Sequence, residues 1–118
     1  MLNLEKIKAF TAPKKTNKYF IAGEFQEIEI NVIPDHAMMT IAQMDFVSEK
    51  IEIVKLALKH ILNISEKDVD IILGNDFSAA MEIFNDGKEI STEWAEKRAK
   101  ERETAKKNLK TVQINTQS

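Results

Sequence analysis

Residues 18–33 read KYFIAGEFQEIEINVI, and this segment divides the chain into a short β part and a long helical part. Ile28, Ile30 and Val32 alternate with polar side chains, which is the two-residue period of a half-buried strand. Gly23-Glu24 lies between two apolar runs and can form a tight turn. The segment predicts a β-hairpin with strands at 18–22 and 25–33. Because an isolated hairpin is only marginally stable, it must pack on helices or pair with another chain.

The residues that follow the hairpin predict two helices. Pro34 ends the second strand, and Asp35 is placed to cap a helix over 36–47. The next segment, 49–63, has apolar side chains over most of its circumference. A helix of this kind is usually central to its domain, so we expect 49–63 to form the middle of the core.

Further helices are predicted in the second half of the chain. Ser65 begins a capping box, and a short helix follows until Gly74 stops it. Asp76 caps an amphipathic helix over 77–86, which Asn85-Asp86-Gly87 is expected to end. A charged helix then begins at 91 or 92 and continues to about 110, supported by Glu–Lys pairs four residues apart.

These elements predict one mainly α (α+β) domain, in which an N-terminal β-hairpin precedes a compact helical bundle and a long charged C-terminal helix. Its parts are an N-terminal arm and linker (1–17), the hairpin (18–33), a helical core (34–90), the charged helix (91–112) and a tail (113–118). Within the arm, the apolar spacing predicts either a short helix or a mobile segment.

Composition excludes several classes of protein. The 118 residues include no cysteine, so disulfides, thiolate metal sites and cysteine nucleophiles are excluded. The net charge of −2 argues against a general nucleic-acid binder. No apolar run approaches the roughly 20 residues of a membrane span, and the first residues lack the apolar core of a signal peptide. We therefore expect a soluble, cytoplasmic protein with no membrane partner.

Charge is distributed unevenly along the chain. Residues 1–18 carry a net +4 and residues 91–118 a net +3, whereas residues 19–52 and 53–90 carry −6 and −3. Two interpretations remain open: the charges form solvated faces, or basic ends of one copy attract the acidic middle of another. The second interpretation favours head-to-tail oligomers that salt weakens.

The sequence offers little catalytic chemistry. His36 and His60 are too far apart in sequence for a metal-binding motif, and His60 lies on a largely apolar helix. The isolated glycines build no phosphate-binding loop, and the aspartates lack the order of a calcium loop; these are Gly23, Gly74 and Gly87, and Asp68, Asp70 and Asp76. We expect no enzyme activity, no catalytic residue, no metal and no cofactor.

The remaining signal is a Met/aromatic patch of partner-binding candidates. Its members are large, apolar and clustered in two short segments: Tyr19, Phe20, Phe25, Met38, Met39, Met44 and Phe46. Flexible thioethers suit surfaces that accept helical partners. Each of these residues could also belong to the core, and both interpretations remain open.

The arrangement of most of the chain resembles that of a known family. A Lys-rich opening (MLNLEKIKAF), the TAPKK linker, the hairpin KYFIAGEFQEIEINVIP, compact helices and a charged helical tail follow in order. This layout is similar to the tail assembly chaperones of long, non-contractile-tailed phages, especially the tape measure protein chaperones of lactococcal-type siphophages. The resemblance implies a non-enzymatic protein that binds the helical tape measure protein and keeps it soluble in the host cytoplasm. It also implies self-association into homo-oligomers and absence from the finished virion.

Two alternatives remain. The first is a small nucleic-acid-associated regulator that uses the basic helix 91–110, although the helix at 77–86 carries Glu82 and Asp86 and no basic residue. The second is a structural component such as a head–tail connector. We expect nucleic acid not to be the main partner.

Overall fold

The computed structural model describes the backbone of residues 1–117 and the side chains of residues 1–109. The elements in chain order are α1 (Leu4–Ala9), β1 (Lys14–Ile21), β2 (Glu24–Asn31), α2 (Asp35–Ala42), α3 (Lys50–Leu62), α4 (Glu66–Asn75) and α5 (Phe77–Gln117). The chain is mainly helical, with an N-terminal two-stranded antiparallel hairpin and a long last helix. The predicted fold class is therefore confirmed.

The hairpin is longer and turns earlier than predicted. Ala22 and Gly23 both have positive φ, 56° and 81°, as a two-residue turn of this hand requires. The turn predicted at Gly23-Glu24 is thus one residue late. The linker prediction is also wrong over residues 14–17, because these residues pair with residues 28–31 in register. An ion pair of 3.3 Å between Lys14 and Glu29 links the two strands there.

The core lies between the inner face of the hairpin, α3 and the first part of α5. Helix α3 contributes more residues to the buried core cluster than any other helix does. This confirms the prediction that it is the central helix. The fully packed cluster comprises Tyr19, Ile30, Ile33, Ala37, Ile53, Val54, Ala57, Leu58, Ile61, Val69, Ala80, Ile83 and Phe84.

Helix α5 is continuous through residues 85–87, so the predicted helix end at Gly87 is wrong. Gly87 is buried and packs directly against Ile61 of α3. A Cβ at this position would lie under 3.0 Å from three side-chain atoms of Ile61. The glycine therefore permits close approach of two helices and does not end one. The helical backbone runs to Gln117, past the predicted end at 112, and residue 118 lies outside the described part.

Two of the predicted helix caps are confirmed. Ser65 Oγ accepts a hydrogen bond from the N–H of Asp68 over 3.2 Å at the start of α4. Asp76 Oδ1 accepts one from the N–H of Ala79 over 3.2 Å at the start of α5. Gly74 does not stop α4, since that helix continues to Asn75 before Asp76 begins the next one.

The prediction that Asp35 caps the second helix is wrong. Pro34 occupies the cap position, and Asp35 is the first residue of α2. The Asp35 carboxylate instead accepts two hydrogen bonds from the Arg98 guanidinium, over 2.9 and 3.1 Å, which ties α2 to α5. This pairing lowers the pKa of Asp35.

Helix α2 is shorter than the predicted 36–47. It ends at Ala42, and a turn follows in which Asp45 Oδ1 accepts from the N–H of Val47 over 2.9 Å. Glu49 Oε2 accepts from the N–H of Asp45 over 2.7 Å. These side-chain acceptors hold the backbone in a turn where helical periodicity alone predicts a helix.

Candidate functional site

An open groove, here called the β2–α4 groove, runs between the edge of β2 and helix α4. Its volume is about 680 Å³. The consecutive residues 26–29 of β2 all line it, and consecutive strand residues share a cavity only along the strand edge. Among the described residues β2 pairs with β1 alone, so this edge presents backbone groups that no other strand covers.

The walls of the groove are aliphatic. The large apolar side chains come from the hairpin, from the end of α3 and the connection after it, from α4 and from α5: Ile21, Ile28, Leu62, Ile64, Ile71, Ile72 and Ile83. A partly exposed concave surface of this composition is typical of sites that accept an apolar segment of a protein.

Local sequence explains how α4 forms its wall. Val69 is fully buried, and Ile72 and Leu73 lie three and four residues later on the same face and pack on the core. Ile71 lies beside this face and is 53% exposed. Helix α4 thus buries one stripe in the core and offers a neighbouring isoleucine to the groove.

The connection between α3 and α4 completes this wall. Asn63 adopts the left-handed conformation with φ 53° and ends α3. The N–H of Ile64 donates to the carbonyl of Lys59 over 3.2 Å. This αL cap turns the chain sharply, so that Leu62 and Ile64 both reach the groove.

The rim of the groove is polar and acidic. Glu27, Glu29 and Asp76 contribute carboxylates, Gln26 and Asn75 contribute amides, and none of the residues that line the groove is Lys or Arg. Asp76 Oδ2 also accepts a hydrogen bond from the N–H of Ala22 over 3.3 Å, which fixes the hairpin turn against the start of α5. An apolar segment that carries basic residues would match this surface both in the polarity of its walls and in the charge of its rim.

The structure places two residues of the Met/aromatic patch inside the protein. Tyr19 is 1% exposed, and its hydroxyl donates to Asp86 over 2.7 Å and accepts from the side-chain amide of Asn17 over 3.2 Å. Burial raises the pKa of Tyr19 to about 12. Met44 is half-buried against the core. The prediction that Tyr19 binds a partner at the surface is therefore wrong.

The other five patch residues are exposed but lie in two places. Phe20 and Phe25 face each other across the hairpin, with ring centroids 5.1 Å apart. Met38, Met39 and Phe46 belong to α2 and the loop after it. Since a strand rises about 3.3 Å per residue, the end of β2 that leads to α2 lies roughly 20 Å from Phe25. The predicted single surface is thus divided.

Only the Phe20–Phe25 pair adjoins the groove, because Ile21 and Gln26, the next residues in each strand, line it. Sequence reasoning missed the groove residues of α4 and of the loop before it. The signal for them is the run Ile71-Ile72-Leu73 in an otherwise charged helix, which is wider than one buried stripe requires.

No known relative is found. No family model matches the chain, and no curated protein or solved structure matches it either.

The two histidines meet in the fold although they are distant in sequence. The His36 and His60 rings lie edge to face, with centroids 5.4 Å apart. Burial lowers the pKa of His60, and neighbouring His36 and Lys59 lower it further. In residues 1–109 no three potential metal ligands lie close enough to share an ion. No helix in the described part of the chain has both the length and the apolar character needed to cross a bilayer.

Proposed function

We propose that the protein is a non-enzymatic assembly chaperone that holds an apolar segment of a client protein in the β2–α4 groove. The observation that carries the proposal is the groove itself, with aliphatic walls, an acidic rim and an open mouth. Of its three carboxylates, Asp76 caps α5 and Glu29 pairs with Lys14, so both have structural roles.

The client that fits best is a siphophage tape measure protein. The layout of the chain resembles that of the phage tail assembly chaperones, and a tape measure protein is long and helix-forming. Its amphipathic helices present apolar side chains at three- and four-residue spacing, which suits a groove with aliphatic walls. In this role the protein acts in the host cytoplasm, self-associates along the client and leaves before the virion is complete.

The chemistry of the groove suits reversible capture. Moving one Leu or Ile side chain from water into an apolar site contributes roughly 1.5–3 kcal/mol. Several such side chains are needed to offset the cost of association and of ordering a client segment, so the net affinity is modest. Modest affinity is what a chaperone needs if tail tube protein is to displace it.

Co-expression with a helix-forming segment of a tape measure protein tests the proposal. We expect the wild-type protein to co-purify with the segment and to keep it soluble, and the Ile71→Glu variant to lose both effects. Ile51→Glu is the matched control, because Ile51 is similarly exposed at 47% but lies in the first turn of α3, outside the groove.

Two results would contradict the proposal. If folded Ile71→Glu protein retains the segment as well as wild type does, the groove is not the client site. If wild-type protein never binds the segment, the client is wrong. Detection of the protein in purified virions would favour the structural head–tail alternative.

A further inference from the structure

Helix α1 has an apolar face that no described part of its own chain covers. Leu4 and Ile7 lie three residues apart on one side of the helix and are 55% and 54% exposed. No residue of α1 is buried, and α1 approaches no other element closely among the described residues. Asn3 Oδ1 accepts from the N–H of Lys6 over 3.2 Å, so the helix has its own N-cap.

The N-terminal arm is attached to its own domain at one end. Phe10, directly after α1, stacks on Trp94 of α5 with ring centroids 5.6 Å apart. The preceding residues project from this anchor. The arm is thus held in place while its apolar face is left for another surface.

The β2–α4 groove complements this face in polarity and charge. Its walls are Ile and Leu, and its rim carries Glu27, Glu29 and Asp76, of which Glu29 already pairs with Lys14 of the same chain. Helix α1 carries Lys6 and Lys8 against a single acidic residue, Glu5, beside its apolar side chains. Apolar faces would meet in the middle of such a contact, and opposite charges would meet at its edge.

The arm does not reach the groove of its own chain as a helix. Ile83, the groove residue of α5 nearest to Trp94, precedes Trp94 by 11 residues, or about 16 Å along α5 at 1.5 Å per residue. The six residues of α1 span only about 9 Å. A second copy can bring its α1 to the groove without this restriction.

We infer that α1 of one copy docks its Leu4–Ile7 face into the β2–α4 groove of a second copy. Arm and groove are different surfaces, so the contact is head-to-tail and can extend into an open chain of copies. The inference rests on the proposed function in one respect: the same groove takes the client, so that a client segment and a neighbouring arm compete for it.

Light scattering of three variants tests the contact. The arm variant is Leu4→Ser/Ile7→Ser, the groove variant is Ile71→Glu, and the control is Ile51→Glu. We expect the wild type and the control to increase in mass with concentration at low salt. Each of the other two variants should remain monomeric, with its thermal melting unchanged, since all the replaced side chains are exposed.

Mixing provides the decisive observation. The arm variant retains its groove and the groove variant retains its arm, so an equimolar mixture should form a dimer and nothing larger. A mixture that stays monomeric overturns the inference, and so does a wild type that is monomeric at every concentration. Self-association by both variants alone would also overturn it.

A client assay separates this inference from the proposed function. The arm variant should capture the tape measure segment at lower concentration than wild type, because no arm competes for the groove. If the arm variant captures the segment but wild type never self-associates, only the inference fails. If self-association behaves as expected and no variant captures the segment, only the client proposal fails.

Discussion

Ser91 of α5 accepts a hydrogen bond from the backbone N–H of Ile33 over 2.9 Å, at the point where the chain leaves the hairpin. The Ser91 hydroxyl also donates to the carbonyl of Gly87 over 2.6 Å. Ser91 is the buried polar residue of the described core. Its hydroxyl oxygen provides an acceptor for the N–H of Ile33, which lies outside any helix or strand. Since a buried N–H without a partner is costly, one hydroxyl fixes the hairpin to the longest helix.

Replacement of Ser91 by Ala should therefore destabilise the protein. The variant leaves the N–H of Ile33 without an acceptor, at an expected cost of about 1–3 kcal/mol in the free energy of unfolding. Thr92→Ala is the matched control, because Thr92 donates to the carbonyl of Lys88 on the exposed side of the same helix. Urea denaturation measures both. Equal effects of the two substitutions would contradict this role for Ser91.

Replacement of Gly87 by Ala should also destabilise, against the usual effect of this change in a helix. An added Cβ would collide with Ile61. Gly74→Ala in α4 is the control, because open space surrounds that position, and it should stabilise by about 1 kcal/mol. Combining Gly87→Ala with Ile61→Val should recover part of the loss in a double-mutant cycle. Stabilisation by Gly87→Ala alone would disprove the close packing.

The hairpin turn contains backbone strain that a substitution at Ala22 can relieve. Ala22 holds a left-handed φ of 56°, which costs a residue with a Cβ about 1–2 kcal/mol. We expect Ala22→Gly to raise the free energy of unfolding by about 1 kcal/mol. Ala22→Asn should also stabilise, since Asn-Gly is the preferred pair for this turn. Thermal melting measures these changes, and a lower melting temperature for both variants would show that the turn is not strained.

Stability should decrease on acidification below pH 6.5. His60 has a folded pKa below its ordinary value of 6.5, because burial disfavours the charged imidazolium. The unfolded chain therefore takes up the proton first, so this contribution is complete above pH 6.5 and is lost as the pH falls toward the folded pKa. His60→Gln should flatten the dependence of stability on pH in this window. An unchanged slope in the variant would assign the effect to other groups.

Asp35 and Asp45 titrate at a lower pH than His60, so they do not contribute to the pH dependence of stability in that window. The Arg98 guanidinium lowers the pKa of Asp35, and the Val47 N–H lowers that of Asp45, both from 3.8. Their contributions are complete above pH 3.8 and are lost only as the pH falls below it.

Local signals in the sequence predicted most of the elements. The alternation of Ile28 and Ile30 indicates a strand, and the caps at Ser65 and Asp76 mark real helix starts. The apolar circumference of α3 matches its central place in the core. Each of these features depends on residues that are near in the chain.

The predictions that are wrong depend on contacts between residues that are far apart in the chain. The sequence predicts a helix end at Gly87, because it does not reveal that Gly87 packs against Ile61. It predicts a cap at Asp35, because it does not reveal the ion pair with Arg98. Tyr19 looks like a surface aromatic because its partner, Asp86, is 67 residues away. The groove is assembled from the hairpin, the α3–α4 loop, α4 and α5, and no single segment predicts such a site.

The exposed part of α5 affects how the molecule moves in water. Beyond Arg98, every described residue from 99 to 109 is exposed, and the protein measures 67 Å along its longest axis and 23 Å along its shortest. Its radius of gyration is 18.6 Å, against about 13.5 Å for a compact chain of this length. Friction on such a shape is high for its mass, so a monomer will elute from a sizing column early, at the position of a larger sphere, and will tumble faster about its long axis than across it.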